Sequence, residues 1–212
     1  MKLFSPDNKF MRAMSRLGDL LLLNLVFLLC CVPLVTIGAA RTALYTVSFR
    51  LIRDRESRPL AAFFRAFKQN FRSGTLLWLL LALAAGAAVL DLWLATAYMQ
   101  GFWLMKLPFF LLLLLAAFTG AYAFPLLSQF ENSVKQTLKN ALFLSLGCLP
   151  RTLPVTALNL LPFALLFYDL YLFLNAGFLW AFLYFAAAAY LNAKLLEPVF
   201  AGYREEERED AP

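Results

Sequence analysis

The stretch TLLWLLLALAAGAAVLDLWLATAY, residues 75–98, contains only one charged side chain, Asp91. An α-helix needs about 20 consecutive apolar residues to cross the hydrocarbon of a bilayer. The stretch is long enough and apolar enough to do so. It therefore predicts a transmembrane helix and places the chain among membrane proteins.

The composition of the whole chain agrees with this prediction. Of its 212 residues, 62% are hydrophobic and 15% are charged, and the mean hydropathy is +0.71. Soluble domains are roughly half apolar and about a quarter charged. A water-soluble fold of this size could not bury so much apolar surface. We therefore predict an all-α, polytopic transmembrane helix bundle, formed as one membrane domain by residues 1–203.

Further apolar runs lie on both sides of this stretch. Four of them are long enough to cross a bilayer, at about residues 17–35, 103–127, 152–174 and 178–200. The segment 36–53, TIGAARTALYTVSFRLIR, is mostly apolar and long enough for a short span, but it carries Arg41 and Arg50. A charge near the middle of a span costs about 2.5–3.5 kcal/mol on insertion scales. The apolar runs therefore allow five or six spans.

The positions of the basic residues favour six spans. If residues 36–53 cross the membrane, both termini and the connections 54–74 and 128–151 share one side and hold nearly all Lys and Arg residues. The loops on the other side then hold only Lys106, with Arg41 near that face. Basic residues are enriched in cytoplasmic loops. We therefore predict six spans with both termini in the cytoplasm.

Two of the predicted cytoplasmic connections have the pattern of amphipathic helices. In PLAAFFRAFKQNFR, residues 59–72, aromatic residues recur at helical spacing and basic residues lie on other faces. Such helices lie in the membrane interface. This helix is predicted to contact lipid or a partner through Phe63, Phe64, Phe67, Lys68, Phe71 and Arg72. A second interfacial helix is predicted within residues 129–149, and the charged tail 204–212 is predicted to be disordered.

Four charged residues fall in or beside predicted spans, all in the outer part of the bilayer: Arg41, Asp91, Lys106 and Asp169. Charged groups inside membranes tend to pair with one another or to line a wet cavity. One hypothesis is that the four form a polar pocket open to the outside. The alternative is that each anchors its own helix at the interface, or that two of them form a structural ion pair.

Several functional classes are disfavoured by the residues themselves. The chain has no histidine, which removes the commonest general base and metal ligand. It has no glycine-rich nucleotide-binding motif, and its three cysteines lie in apolar runs without zinc-site spacing. We expect no enzyme activity, catalytic residues, metal or cofactor. The net charge of +6 is interpreted as orienting the protein and contacting anionic lipid, not as binding nucleic acid.

The N-terminal third resembles a known family. The segments LNLVFLLCCVPLVTIGAARTALYTVSFRLIRDRE, residues 23–56, and FFRAFKQNF, residues 63–71, are similar to the YesL-like family of bacterial membrane proteins, a domain of unknown function. The resemblance extends over about residues 5–203, although the later helices match mainly in pattern. One departure is Ala39, where the family often has proline.

The resemblance implies a bacterial cytoplasmic membrane protein whose relatives are often encoded beside carbohydrate ABC transporters. It implies an accessory role in sugar uptake or its regulation, with permease or sensor subunits as partners besides membrane lipids. No catalytic residues carry over from the family. The alternative is a small-solute transporter or channel in its own right, because the spans contain polar residues.

Overall fold

The computed structural model of the protein describes residues 9–98 and 106–209, and every regular element in these ranges is helical. In chain order the α-helices are α1 (Lys9–Cys31), α2 (Ile37–Ile52), α3 (Pro59–Gln69), α4 (Phe71–Tyr98), α5 (Leu107–Gln129), α6 (Val134–Gly147), α7 (Leu149–Tyr168), α8 (Leu170–Asn175), α9 (Gly177–Leu179) and α10 (Phe185–Glu209). A 3₁₀ turn, Leu34–Thr36, precedes α2, and a π-helical segment, Trp180–Tyr184, joins α9 to α10. The predicted all-α bundle is confirmed.

Five segments are long and apolar enough to cross a membrane: Met14–Cys31, Phe71–Ala97, Leu107–Gln129, Leu149–Tyr168 and Gly177–Arg204. Each overlaps one of the five clear apolar runs of the sequence. Many of their large apolar side chains are exposed on the outside of the bundle, where only lipid could cover them. The chain is therefore a multi-pass membrane protein.

Helix α2 lies at the centre of the bundle, where it packs against α1, α3, α4, α5 and α10. Twelve of its 16 residues are buried. Its hydroxyl groups donate to carbonyls of the preceding turn, from Thr42 to Gly38 at 2.9 Å and from Ser48 to Leu44 at 2.8 Å. Because these polar groups are satisfied within the helix, apolar neighbours can surround it.

A backbone contact between α2 and α4 depends on two glycines. A Cβ atom on Gly38 would lie 2.1 Å from the carbonyl oxygen of Gly74 and 2.5 Å from Cβ of Trp78. A Cβ atom on Gly74 would lie 2.9 Å from Cα of Ala39. The first turns of the two helices can approach this closely only without side chains at these positions.

Helix α2 crosses the base of the hairpin formed by α4 and α5. It begins beside Gly74, at the start of α4. It ends at Ile52, and the next residue, Arg53, donates to Gln129 at the end of α5 over 2.8 Å. Since α4 starts where the antiparallel α5 ends, both ends of α2 lie near the same end of the hairpin. Its 16 residues extend about 24 Å, less than the five candidate spans, so the count of six spans stays a prediction.

Ion pairs hold together one end of the bundle, which we call the basic end. Arg16 at the start of α1 pairs with Asp54 after α2. Arg53 donates to both carboxylate oxygens of Glu197 on α10, at 2.9 and 2.7 Å, and Arg204 pairs with the same carboxylate at 3.1 Å. These contacts join the start of α1, the end of α2 and the second half of α10. That this end faces the cytoplasm stays a prediction.

Helix α10 continues through the charged C-terminal segment as far as Glu209. The prediction of a disordered tail from residue 204 is therefore wrong for residues 204–209. Glu and Arg are good helix formers, and extending a helix that is already formed costs little. Residues 210–212 lie outside the described ranges.

The side chain of Asn24 on α1 hydrogen-bonds to backbone groups in and beside the π-helical segment. Its amide nitrogen donates to the carbonyls of Trp180 at 3.0 Å and Ala181 at 2.8 Å, and its amide oxygen accepts from the N–H of Ala186 at 2.9 Å. A π-helical segment interrupts the regular bonding of an α-helix and leaves such backbone groups free. The fully buried Asn24 satisfies three of them and fixes α1 against α10.

Candidate functional site

Of the charged residues predicted to share an outer pocket, Arg41 lies far from Lys106 and Asp91. The guanidinium of Arg41 is 4.9 Å from the ring centroid of Phe124 on α5. Lys106 precedes Phe124 by 18 residues on nearly continuous helix, which is about 27 Å. Trp78 on α4 lines a cavity together with Arg41. Asp91 lies 13 residues farther along the same helix, a distance of about 20 Å. Arg41 lies at the base of the α4–α5 hairpin, whereas Asp91 and Lys106 lie toward its other end.

Asp169 has a structural role in its own helix. Its carboxylate accepts hydrogen bonds from the N–H groups of Tyr171 at 2.8 Å and Leu172 at 3.2 Å, and so caps α8. Within residues 9–98 and 106–209, no ion pair joins any two of the four predicted residues. The structure therefore does not bring Arg41 into one pocket with Asp91 and Lys106, because α2 crosses the hairpin at its base.

The predicted aromatic helix exists as α3 and the start of α4, but its aromatic residues divide between two environments. Phe63 is fully buried, and Phe67 stacks on it at 6.3 Å between ring centroids. Phe64 and Phe71 are 53% and 41% exposed. Lys68 and Arg72 are also exposed. We call Phe64, Lys68, Phe71 and Arg72 the α3 surface.

The second predicted interfacial helix corresponds to α6. Ser133 caps it by accepting the N–H of Gln136 at 3.3 Å. Lys135 and Lys139 are exposed, while the opposite face packs closely against α5. The helix therefore has one polar face and one face buried in the bundle.

Two cavities meet at Arg41. The smaller, about 250 Å³, lies mainly between α1, α2, α7 and α10, and the larger, about 570 Å³, lies between α4, α5 and α7. Arg41, Trp78, Asn159 and Phe163 line both, and no other charged side chain lines either. We call the larger one the α4–α5 cavity.

Arg41 has no counter-ion in the part of the chain that the structure describes. The ion pairs there involve Arg16, Arg50, Arg53 and Arg204. The Arg41 guanidinium makes a cation–π contact with the ring of Phe124. A partly buried cation therefore faces two cavities whose walls carry no negative charge.

Polar side chains with free hydrogen-bonding capacity lie near this cation. The amide of Asn192 donates to Tyr45 and to Asn159, each over 3.2 Å, but one polar atom of each of the two amides has no partner. The hydroxyl oxygen of Thr156 is also without a partner, although this residue is only 5% exposed. Thr156 and Asn159 line the α4–α5 cavity together with Arg41.

A family match covers the part of the chain that contains α2. Residues 20–92 match a family model described as "Protein of unknown function, DUF624". The resemblance is confirmed over this segment. No curated protein and no solved structure matches the chain.

The DUF624 segment contains the central architecture but only part of the site. Asn24, Gly38, Arg41 and Trp78 lie within it, whereas Thr156 lies outside it on α7. The description attached to DUF624 states no function. The chemistry of the site must therefore be inferred from its own residues.

The residues around Arg41 were not grouped as a site by the sequence analysis. Asn159 is one of few polar residues in an apolar run, which is a signal for a buried polar role. Thr156 gives no such signal, because threonine in a membrane helix usually bonds to its own backbone. Their proximity to Arg41 depends on how α7 crosses α2.

Proposed function

We propose that the protein is a non-enzymatic accessory protein of the bacterial cytoplasmic membrane that binds the permease subunit of a carbohydrate ABC transporter. The observation that carries this proposal is the exposed α3 surface. The link to carbohydrate transport rests on the family resemblance, and the DUF624 match supports that resemblance over residues 20–92.

The α3 surface has the features of a protein-binding surface. Phe64 and Lys68 are four residues apart on α3 and share one face, and Phe71 and Arg72 follow directly at the start of α4. Phenylalanine and arginine are among the residues enriched in the buried core of protein–protein interfaces. The surface is thus chemically suited to a protein partner that offers apolar and acidic groups.

The surface is also held rigid. The exposed ring of Phe64 makes an edge contact with buried Phe63 at 5.8 Å between centroids, and Phe71 makes one with Phe67 at 5.6 Å. Because Phe63 fixes α3 in the core, the exposed rings are already oriented before a partner binds. Preorganisation of this kind lowers the entropic cost of association.

The cavities favour an accessory role over sugar transport by this chain alone. A sugar site needs several convergent hydrogen-bonding groups, whereas both linings are largely apolar and contain one charged residue. The alternative, a small-solute transporter, is supported by the fact that two cavities meet at Arg41. Uptake of labelled sugar into proteoliposomes that contain only this protein would favour the alternative.

The proposal is tested by quantitative co-purification from native membranes. Tagged wild-type protein is expected to retain a carbohydrate permease subunit, and the double variant Phe64→Ala/Phe71→Ala is expected to lower its recovery at least about tenfold, since each interface hot spot contributes about 2 kcal/mol. The matched control is Leu83→Ala, which removes an apolar side chain that is 71% exposed on α4. Absence of the permease from the wild-type sample, or equal recovery with both variants, contradicts the proposal.

A further inference from the structure

The charge of Arg41 is the first of three observations that point to a ligand. The side chain is partly buried beside two mainly apolar cavities, and no carboxylate in the described residues pairs with it. A cation in such surroundings is costly unless an anion accompanies it. The cation–π contact with Phe124 lowers this cost without neutralising the charge.

The second observation is that hydrogen-bonding groups without partners line the same cavity. The hydroxyl of Thr156 and the side-chain amide of Asn159 line the α4–α5 cavity with Arg41, and each has a buried polar atom without a partner. Buried polar groups are normally satisfied. A guanidinium, a hydroxyl and an amide that can all donate form a suitable set for the oxygens of a phosphate.

The third observation is the shape of the cavity beyond these groups. On α4 its lining runs from Trp78 to Val89, 11 residues or about 16 Å, and on α5 from Phe124 back to Phe110, 14 residues or about 21 Å. One leaflet of a bilayer contributes about half of its roughly 30 Å of hydrocarbon. The apolar part of the cavity is therefore long enough for an acyl chain.

Small residues create this space. The lining includes Ala82 and Ala85 of α4 and Ala116, Ala117 and Gly120 of α5. Small residues in membrane helices usually allow close helix packing. Here they widen the groove between α4, α5 and α7 into the cavity.

The cavity opens sideways toward lipid. Three of the residues in its wall, Phe110, Phe163 and Phe167, are 57%, 58% and 88% exposed, and all three lie on helices that are candidate membrane spans. A molecule already dissolved in the bilayer can therefore enter without crossing water. A soluble anion would have to pass this apolar opening.

We infer that the α4–α5 cavity binds an anionic phospholipid, with the lipid phosphate on Arg41, Thr156 and Asn159 and one acyl chain along α4 and α5. The phosphate supplies the missing negative charge. The chain fills the apolar part of the cavity, and the lateral opening admits the lipid from the membrane. This site is separate from the α3 surface, so it can be tested whether or not a permease binds.

The test measures lipid binding to the purified full-length protein in detergent by native mass spectrometry and by thermal unfolding. Phosphatidylglycerol is expected to bind saturably at one molecule per chain, at least tenfold more tightly than phosphatidylcholine. Arg41→Gln is expected to weaken phosphatidylglycerol binding at least tenfold. Lys139→Gln, which removes an exposed cation on α6, is the matched control and should leave binding unchanged.

Two further measurements separate binding from folding. Without lipid, Arg41→Gln is expected to unfold at the wild-type temperature or above it, because the variant lacks the uncompensated charge. Ala85→Phe should block the acyl-chain part of the cavity and weaken binding although Arg41 is intact.

Several results would overturn the inference. The first is equal affinity of the protein for phosphatidylglycerol and phosphatidylcholine. The second is an equal change of phosphatidylglycerol affinity in Arg41→Gln and Lys139→Gln. The third is a lower unfolding temperature of lipid-free Arg41→Gln than of the lipid-free wild type. Stabilisation by oleate or by inorganic phosphate that equals the effect of phosphatidylglycerol would assign the site to a carboxylate or to a soluble anion instead.

Discussion

Substitution of Gly38 by alanine tests the backbone contact between α2 and α4. The added Cβ would lie 2.1 Å from the carbonyl oxygen of Gly74 and 2.5 Å from Cβ of Trp78, whereas ordinary contacts begin at 3.4 Å. The first obstacle is a backbone atom, and the second is attached directly to the backbone. Neither can move away by a change of rotamer, so the two helices must separate by roughly 1 Å.

The expected cost follows from two opposing terms. Overpacking a well-packed interior costs about 1–3 kcal/mol, and occasionally more. Alanine regains about 1 kcal/mol because it is a better helix former than glycine. A contact with backbone belongs at the upper end of the first range, so Gly38→Ala should lower the free energy of unfolding by about 2 kcal/mol. For a chain of this size that lowers Tm by about 4–8 °C.

Thermal unfolding of the detergent-purified protein, followed by tryptophan fluorescence, measures this effect. The matched control is Gly86→Ala on α4, where an added Cβ meets nothing within 4 Å. The control should be neutral or slightly stabilising. A Tm for Gly38→Ala within 1 °C of wild type, or an equal loss in the control, would refute the explanation of the contact.

Three further predictions concern polar groups, and thermal unfolding checks each of them. Asn24→Leu leaves three backbone groups of the π-helical region unpaired and should lower the free energy of unfolding by about 3 kcal/mol or more. The control Leu25→Ala, which shortens an exposed side chain, should lower it by less than about 1 kcal/mol. Similar losses in the two variants would contradict the role of the amide. Glu197→Gln should cost about 1–2 kcal/mol, and a double-mutant cycle with Arg53→Met should show coupling, whose absence would disprove the pair. Asp169→Ala should cost about 1 kcal/mol through loss of the α8 cap, and Asp169→Asn should not; equal losses would contradict the cap.

The surroundings of Arg41 and of the small residues of α4 and α5 follow only in part from the sequence. Arg41 has no carboxylate partner in the described residues, and the structure places it apart from Asp91 and Lys106, two of its predicted neighbours. The spacing of Ala116 and Gly120 indicates a helix face with little bulk. Spacing alone does not tell whether a neighbouring helix fills that face or leaves a cavity, because this depends on the angle between the helices.

The α3 region was predicted more completely. The recurrence of phenylalanine correctly indicated a helix between two apolar segments, and its basic residues are exposed as expected. The sequence did not distinguish buried Phe63 from exposed Phe64, since both lie next to small or polar residues. Only the position of α2 beneath α3 decides which ring enters the core.

The sequence by itself determined that lipid surrounds this protein, that its backbone is helical and that its basic residues concentrate in connections. These properties follow from hydropathy and helical period, which are local and can be read along the chain. The tertiary structure alone decided that the stretch 75–98 borders a cavity, that α2 is buried at the base of the α4–α5 hairpin, and that Arg41, Thr156 and Asn159 line the same cavity. Contacts of this kind depend on the crossing angles between helices that are distant in sequence. Those angles arise from side-chain packing over the whole bundle.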